Sequence, residues 1–220
     1  MDKSGWSYLV VEGNIGAGKT TLAKMIAERS SARLMLEQFS DNPFLPGFYK
    51  DPAKYAFPLE LSFLAERYQQ MKDELQPDLF QPLMVADYFV MKSVIFARIN
   101  LPEPEFLLFE RLFSIIRDHI RLPDRILYLH SEKDRLRKNI VSRGRSYEQE
   151  IPDDYLASIQ SGYFELLKQL PGVPVVVVDV TEYDFVQQPS ILEQLISFTQ
   201  IPLSPGIHFK ELMPPGHMHK

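Results

Sequence analysis

The run GNIGAGKT at residues 13–20 constrains this chain more than any other stretch. It fits the pattern G-x-x-x-x-G-K-[ST], whose chemistry requires a tight loop between a buried strand and a helix. Both flanks suit that setting: SYLVVE at 7–12 is an apolar run fit for a strand, and 18–30 reads as a helix. The glycines then let the backbone curl until successive N–H groups point inward at phosphate oxygens. Lys19 adds a positive charge at the β and γ phosphates, Thr20 offers a hydroxyl to Mg²⁺, and the positive end of the helix faces the same place. Gly13, Asn14, Ile15, Gly16, Ala17, Gly18, Lys19, Thr20 and Thr21 are therefore the expected binding residues for ATP with Mg²⁺.

The rest of the chain repeats the strand-then-helix order. A short apolar piece at 32–36 leads to Glu37, PLMVAD at 82–87 reads as a buried strand delivering Asp87, and RILYLH at 125–130 and PVVVVDV at 174–180 are further strands. Helical spacing of Phe57, Leu61, Leu64 and Tyr68 predicts a long helix over 55–75. Helices are also predicted at about 88–100, 103–121, from 131 to about 142, at 153–170, with Tyr155, Ile159, Tyr163, Leu166 and Leu170 on one face, and at 189–199. Five apolar strands separated by helices give a three-layer α/β fold with a parallel sheet. In such sheets ligands bind beyond the carboxyl ends of the strands, where Glu12, Glu37 and Asp87 fall. The expectation is one domain over 1–200, with a lid at about 143–152 and a proline-rich irregular tail at 201–220. The HMH at 217–219 reads as solvated.

Composition excludes several classes. A formal charge of −5 argues against general nucleic-acid binding, which needs a basic field. With no cysteine, disulfides, thiolate zinc sites and cysteine nucleophiles are absent. There is no apolar leader and no apolar stretch of the ~18 residues that a membrane span requires, so a cytoplasmic location away from membranes is expected. No N-K-x-D guanine-reading motif follows the loop, and the chain is short for a motor ATPase. Small-molecule kinases remain. VSRGRSYEQ at 141–149 sets Arg143 and Arg145 around a glycine between two helices, and two guanidiniums on a mobile segment suit phosphoryl transfer.

At this point the chain resembles the deoxyribonucleoside kinases. The resemblance rests on EGNIGAGKT (12–20), LEQFSDNPFLPGFY (36–49), FPLELSFLAERY (57–68), ADYFVMKSVIFA (86–97) and RGRSYEQEIPDDYL (143–156), in that order along nearly the whole chain. It implies a P-loop NTPase fold of the nucleoside and nucleotide kinase type, with transfer of the ATP γ-phosphate to a deoxynucleoside 5′-hydroxyl in nucleotide salvage. It implies Glu37 as general base, Tyr49 and Glu148 on the 3′-hydroxyl, Asp87 at the magnesium and phosphate region, and Asp184 and Phe185 in the loop holding the adenine of ATP. It also implies a homodimer through helices near 88–121, with Phe106, Phe113 and Ile116 as candidate contacts. Two departures stand out. Tyr88 replaces an arginine that often follows the strand-end acid, and Lys92, four residues on along the same helical face, can return that charge. Asn139 replaces an arginine that often stacks on the ATP adenine.

The segment 57–68 sits where that family reads the nucleobase. Glu60 and Arg67 are seven apart and share one helix face, about 10.5 Å apart along the axis. A carboxylate only accepts hydrogen bonds, and guanine alone presents two adjacent donors, N1–H and the N2 amino group. Arg67 then suits O6 and N7. Glu60, the ADY run and Lys92 together also resemble the bacterial deoxyguanosine kinase branch. Deoxyguanosine is therefore the expected substrate. The alternatives are a deoxyadenosine or broad-specificity deoxynucleoside kinase, a nucleoside monophosphate kinase, and a nucleotide-binding regulator without transfer activity.

Overall fold

A computed structural model describes residues 5–38, 42–76, 82–170 and 172–214 of the chain. The strand that enters the glycine loop, β1 (Tyr8–Gly13), is buried along its whole length. After it come α1 (Lys19–Ser30), β2 (Arg33–Met35), the short α2 (Leu45–Phe48), α3 (Pro52–Glu74) and β3 (Met84–Ala86). Next are α4 (Lys92–Asn100), α5 (Glu103–Arg117), β4 (Arg125–His130), α6 (Lys133–Arg143) and α7 (Asp153–Gln169). β5 (Pro174–Asp179), α8 (Pro189–Gln200) and β6 (Gly206–Lys210) complete the order. The strands form one sheet, β2-β3-β1-β4-β5-β6, with every pair parallel.

Period-two alternation divides the apolar side chains between two cores. Val10, Ile126, Tyr128, Val175 and Val177 face the layer of α3, α4, α5 and α7. Leu9, Val11, Leu127, Leu129, Val176 and Val178 face α1, α6 and α8. Burial on both sides explains why the strands read as unbroken apolar runs. Each fully buried Val or Leu side chain contributes about 1.5–3 kcal/mol. The chain builds β2 and β3 on one side of β1 and the later strands on the other. That reversal opens a crevice beyond the carboxyl ends of β1 and its neighbours.

The sheet has six strands where five were expected. β6 arises from the segment expected to be irregular, and it pairs with β5 from Pro174↔Gly206 to Val178↔Lys210. GIHFK has little apolar signal of its own; the unpaired edge of β5 orders it through backbone hydrogen bonds. The HMH at 217–219 lies outside the described residues. α3 begins at Pro52, three residues earlier than its periodicity suggested, because the Asp51 side chain accepts from Lys54 N and caps the helix there.

Phe106 and Phe113 are buried in the protein's own core, so the contacts proposed for them with a second copy do not hold. Ile116 packs partly against that same core. The large apolar side chains that α5 turns outward are Leu107, Leu108, Leu112 and Ile115. Among the described residues, no helix is long and apolar enough to cross a membrane.

Candidate active site

The loop after β1 is shaped by backbone that only glycine tolerates. Gly16 and Gly18 have φ of 83° and 90°, and a Cβ at either would strike a neighbour. At Gly16 it would lie 2.8 Å from the Leu136 carbonyl oxygen, and at Gly18 it would lie 2.9 Å from the Phe185 ring. Lys19 Nζ donates to the carbonyl oxygens of Gly13 and Asn14, both at 2.9 Å. Burial and the nearby Lys92 lower its pKa to about 8. The Asn14 side chain donates to Leu156 O and accepts from Ile15 N, so it ties the loop to α7. Ala17 is buried under the loop, while Thr21 is exposed.

Glu12, one residue before the loop, is structural. It accepts from Phe89 N and from the Tyr163 hydroxyl, and burial raises its pKa. Asp87, at the end of β3, is drawn into the site. Its Oδ2 accepts from Thr20 Oγ1 at 2.5 Å and its Oδ1 from Glu37 N at 2.8 Å. A hydroxyl and a carboxylate oxygen are ligand types that magnesium takes. No group of three or more His, Cys, Asp or Glu among the described residues could hold a metal. A magnesium ion here would therefore rely on nucleotide phosphates and water to complete its shell, as that ion commonly does.

Glu37 stands between two cations. Arg67 grips its Oε1 through Nε and Nη2, each at 2.8 Å, and Lys92 Nζ meets its Oε2 at 2.7 Å. Burial alone would push the carboxyl up, but Lys92, Arg67 and Lys19 together hold it down at about 2. Lys92 thus supplies the charge missing at Tyr88, whose own hydroxyl turns into the core to donate to Gln70. Arg67 does lie two turns from Glu60, but its guanidinium faces Glu37 and, through Nη1, Ser93 Oγ. The fork expected to read O6 and N7 of a purine is committed to the Glu37 carboxylate instead.

Glu60 is 1% exposed and faces a pocket lined by Phe63, Phe96, Asn100 and Tyr155. Tyr49 lies at the rim of that pocket, stacked on Tyr147. Opposite, α6 ends at Gly144, whose φ of 71° turns the chain into a 3₁₀ turn at Ser146–Glu148. Glu148 is buried and accepts from both Arg143 and Arg145. On the donor side, Asp184 Oδ1 accepts from Val186 N and Gln187 N, fixing the loop that carries Phe185 against Gly18. Asn139 donates to Gly16 O. It supports the phosphate loop, where an arginine would reach a base.

Two cavities flank the loop. One, of about 660 Å³, runs from residues 16–21 past Arg135 and Asn139 to Tyr183, Asp184 and Phe185. The other holds Tyr49, Glu60, Arg67, Lys92 and Glu148. Lys19, Thr20, Glu37, Asp87, Arg143 and Arg145 line both. A nucleotide in the first cavity and an alcohol in the second would meet among those side chains, an arrangement suited to phosphoryl transfer. Sequence reasoning missed Asn100, Ser93 and Arg135, and it read Tyr155 only as part of an apolar face. Asn100 ends a helix, a place where Asn is common for local reasons, so no sequence signal marked it.

Comparison with known proteins gives a consistent result. The family model described as deoxynucleoside kinase matches residues 9–201. Deoxyguanosine kinase of Bacillus subtilis (strain 168) is 34% identical over 212 residues, covering 94% of this chain and 97% of its own. Deoxyadenosine kinase of Dictyostelium discoideum is 29% identical, covering 86% and 78%. A structure of deoxyadenosine kinase from M. mycoides with bound dATP superposes with a TM-score of 0.72 at 23% identity, covering 87% of this chain and 96% of that one.

Proposed function

The chain belongs to the deoxynucleoside kinase family and is an ATP-dependent deoxynucleoside kinase, and from that premise we propose that its main substrate is deoxyguanosine. The observation that carries the reading is the common wall of the two cavities, with Glu60 set deep in the acceptor side. In this reading Glu37 accepts the proton of the 5′-hydroxyl as that oxygen bonds to the γ-phosphorus. The bond from that phosphorus to the β,γ-bridging oxygen breaks, and its electrons leave with ADP. Held ionised by Lys92 and Arg67, Glu37 is a weak base at rest. Its first task is to orient the hydroxyl, and it takes the proton late, as a loose transition state allows. Tyr49 and Glu148 hold the 3′-hydroxyl, and Asp184 and Phe185 support the ATP adenine. Thr20 and Asp87 would hold Mg²⁺, which when bound neutralises charge on the β and γ phosphates.

A homodimer packed across α5 is part of the same proposal. Its support is the outward row Leu108, Leu112 and Ile115, and a monomeric mass in light scattering would rule it out. We also place the enzyme in the cytoplasm, beside its ATP supply, which cell fractionation checks.

Arg143→Ala and Arg145→Ala are each expected to lower kcat more than they weaken ATP binding, because charge neutralisation matters most during transfer. An unchanged kcat alongside weaker ATP binding would reduce the pair to a docking surface. Glu60→Gln tests the base. The deoxyguanosine to deoxyadenosine ratio of kcat/KM is expected to fall by ~10-fold or more, since each misplaced hydrogen-bond partner costs roughly 1–3 kcal/mol. An unchanged ratio would mean that Glu60 does not read the base. Assays with all four deoxynucleosides and their monophosphates separate this reading from its rivals.

A further inference from the structure

Glu60 carries two oxygens in different situations. Asn100 Nδ2, from the last residue of α4, donates to Oε1 at 2.7 Å. Oε2 is buried and has no hydrogen-bond partner among the described residues. A buried carboxylate oxygen without a partner is costly, and here it lines the acceptor cavity. The amide N–H of Asn100 fixes Oε1 as an acceptor, so when the carboxyl takes a proton that proton must sit on Oε2. The polarity of the oxygen that faces the base therefore depends on whether Glu60 is charged.

We propose that Asn100 and Glu60 form a two-state reader of the purine edge, selecting a 6-oxopurine when Glu60 is ionised and a 6-aminopurine when it is protonated. The inference rests on the purine deoxynucleoside reading above. Ionised, Oε2 accepts from guanine N1–H while Oε1, with its second lone pair, accepts from the N2 amino group. Protonated, Oε2–H donates to adenine N1 in the same pose, with Oε1 facing the C2–H and the N6 amino group on the other side of N1. Either mismatch sets two donors, or two lone pairs, against each other.

The surroundings keep the two states close in energy. Burial pushes the Glu60 carboxyl up to about 7, against the opposing pull of Arg67 and of the Asn100 hydrogen bond. Arg67 shares its helix, Asn100 and Lys92 face it from α4, and Glu37 faces it from the segment after β2. Tyr155 of α7 and Tyr49 at the end of α2 also lie within its field, and their hydroxyls remain neutral across this range because burial raises both. The lid residues Arg143, Arg145 and Glu148 line the far wall of the pocket. Protonation prevails below neutral pH and ionisation above it.

The test is kcat/KM for deoxyguanosine and deoxyadenosine, measured side by side at saturating ATP. Taking the ratio cancels every titration common to both reactions, including Lys19 and the ATP phosphates. Between about pH 6 and pH 8 the ratio is expected to rise ~10-fold or more, as the ionised fraction of a group titrating near neutrality does. Glu60→Gln should flatten the profile in favour of deoxyadenosine. Asn100→Ala removes a hydrogen bond that favours the charged form, so the midpoint should move to higher pH; a purely structural role for Asn100 would leave it in place. A flat wild-type ratio with both nucleosides phosphorylated, or no gain for deoxyadenosine at the acid end, overturns the inference and leaves the substrate reading standing. Phosphorylation of neither purine overturns both. If Asn100→Ala fails to fold, the wild-type and Glu60→Gln profiles decide.

Discussion

Replacing Lys19 with alanine is expected to abolish phosphoryl transfer while the protein keeps its fold. Among the described residues the ammonium donates to the Gly13 and Asn14 carbonyl oxygens, and both bonds stay within the turn from β1 into α1, whose strand and helix the chain already holds adjacent. Losing them costs about 1 kcal/mol each, offset by relief from burying a charge. The β and γ phosphates, by contrast, would lose the cation nearest the developing charge. Removing one such electrostatic contact commonly costs ~10²–10³ in kcat, and Lys19 lines both cavities. Turnover and a thermal melt measured on the same preparation check both halves. Near-normal turnover in a folded variant would remove the phosphate loop from the mechanism.

Glu37→Gln is the second large effect. Nucleoside binding should persist while kcat falls by about 10²–10⁴-fold, the usual contribution of a positioned base. The amide keeps the size of the side chain but cannot take the 5′-hydroxyl proton. It also leaves Lys92 and Arg67 facing a neutral group, and a buried pair broken on one side loses on the order of 3 kcal/mol. The variant should therefore melt earlier as well as turn over slowly. Single-turnover rates at saturating nucleoside separate the two effects. If only KM rises, Glu37 binds substrate and does no proton chemistry.

Much of this site was legible from one-dimensional patterns because its parts sit at strand ends. Strand ends are fixed by where apolar runs stop, so the sequence alone puts Glu12, Glu37 and Asp87 together beside the glycine loop. Less was visible where the outcome depends on competition between partners. The spacing of Arg67 from Glu60 fixed a common helix face, but the pull of the Glu37 carboxylate decided where its guanidinium turned. The helix at 103–117 carries apolar residues around much of its circumference, so composition could not say that Phe106 and Phe113 face inward and Ile115 outward. β6 left little trace because its order comes from the edge of β5. Asn100 acts only through the packing of α4 on α3, which no local pattern encodes.

The glycine loop between β1 and α1 also moors the segment carrying Arg143 and Arg145, at both ends. Asn139 on α6 is fastened to Gly16 O, and Leu156 O on α7 to the Asn14 side chain. Between those moorings the chain behaves as a strap buckled twice to the same frame. While both bonds hold, the segment is tied at two ends rather than at one hinge, as a flap would be. Arg143, four residues from Asn139 and still within α6, sits nearer that fastening than Arg145, which lies beyond Gly144.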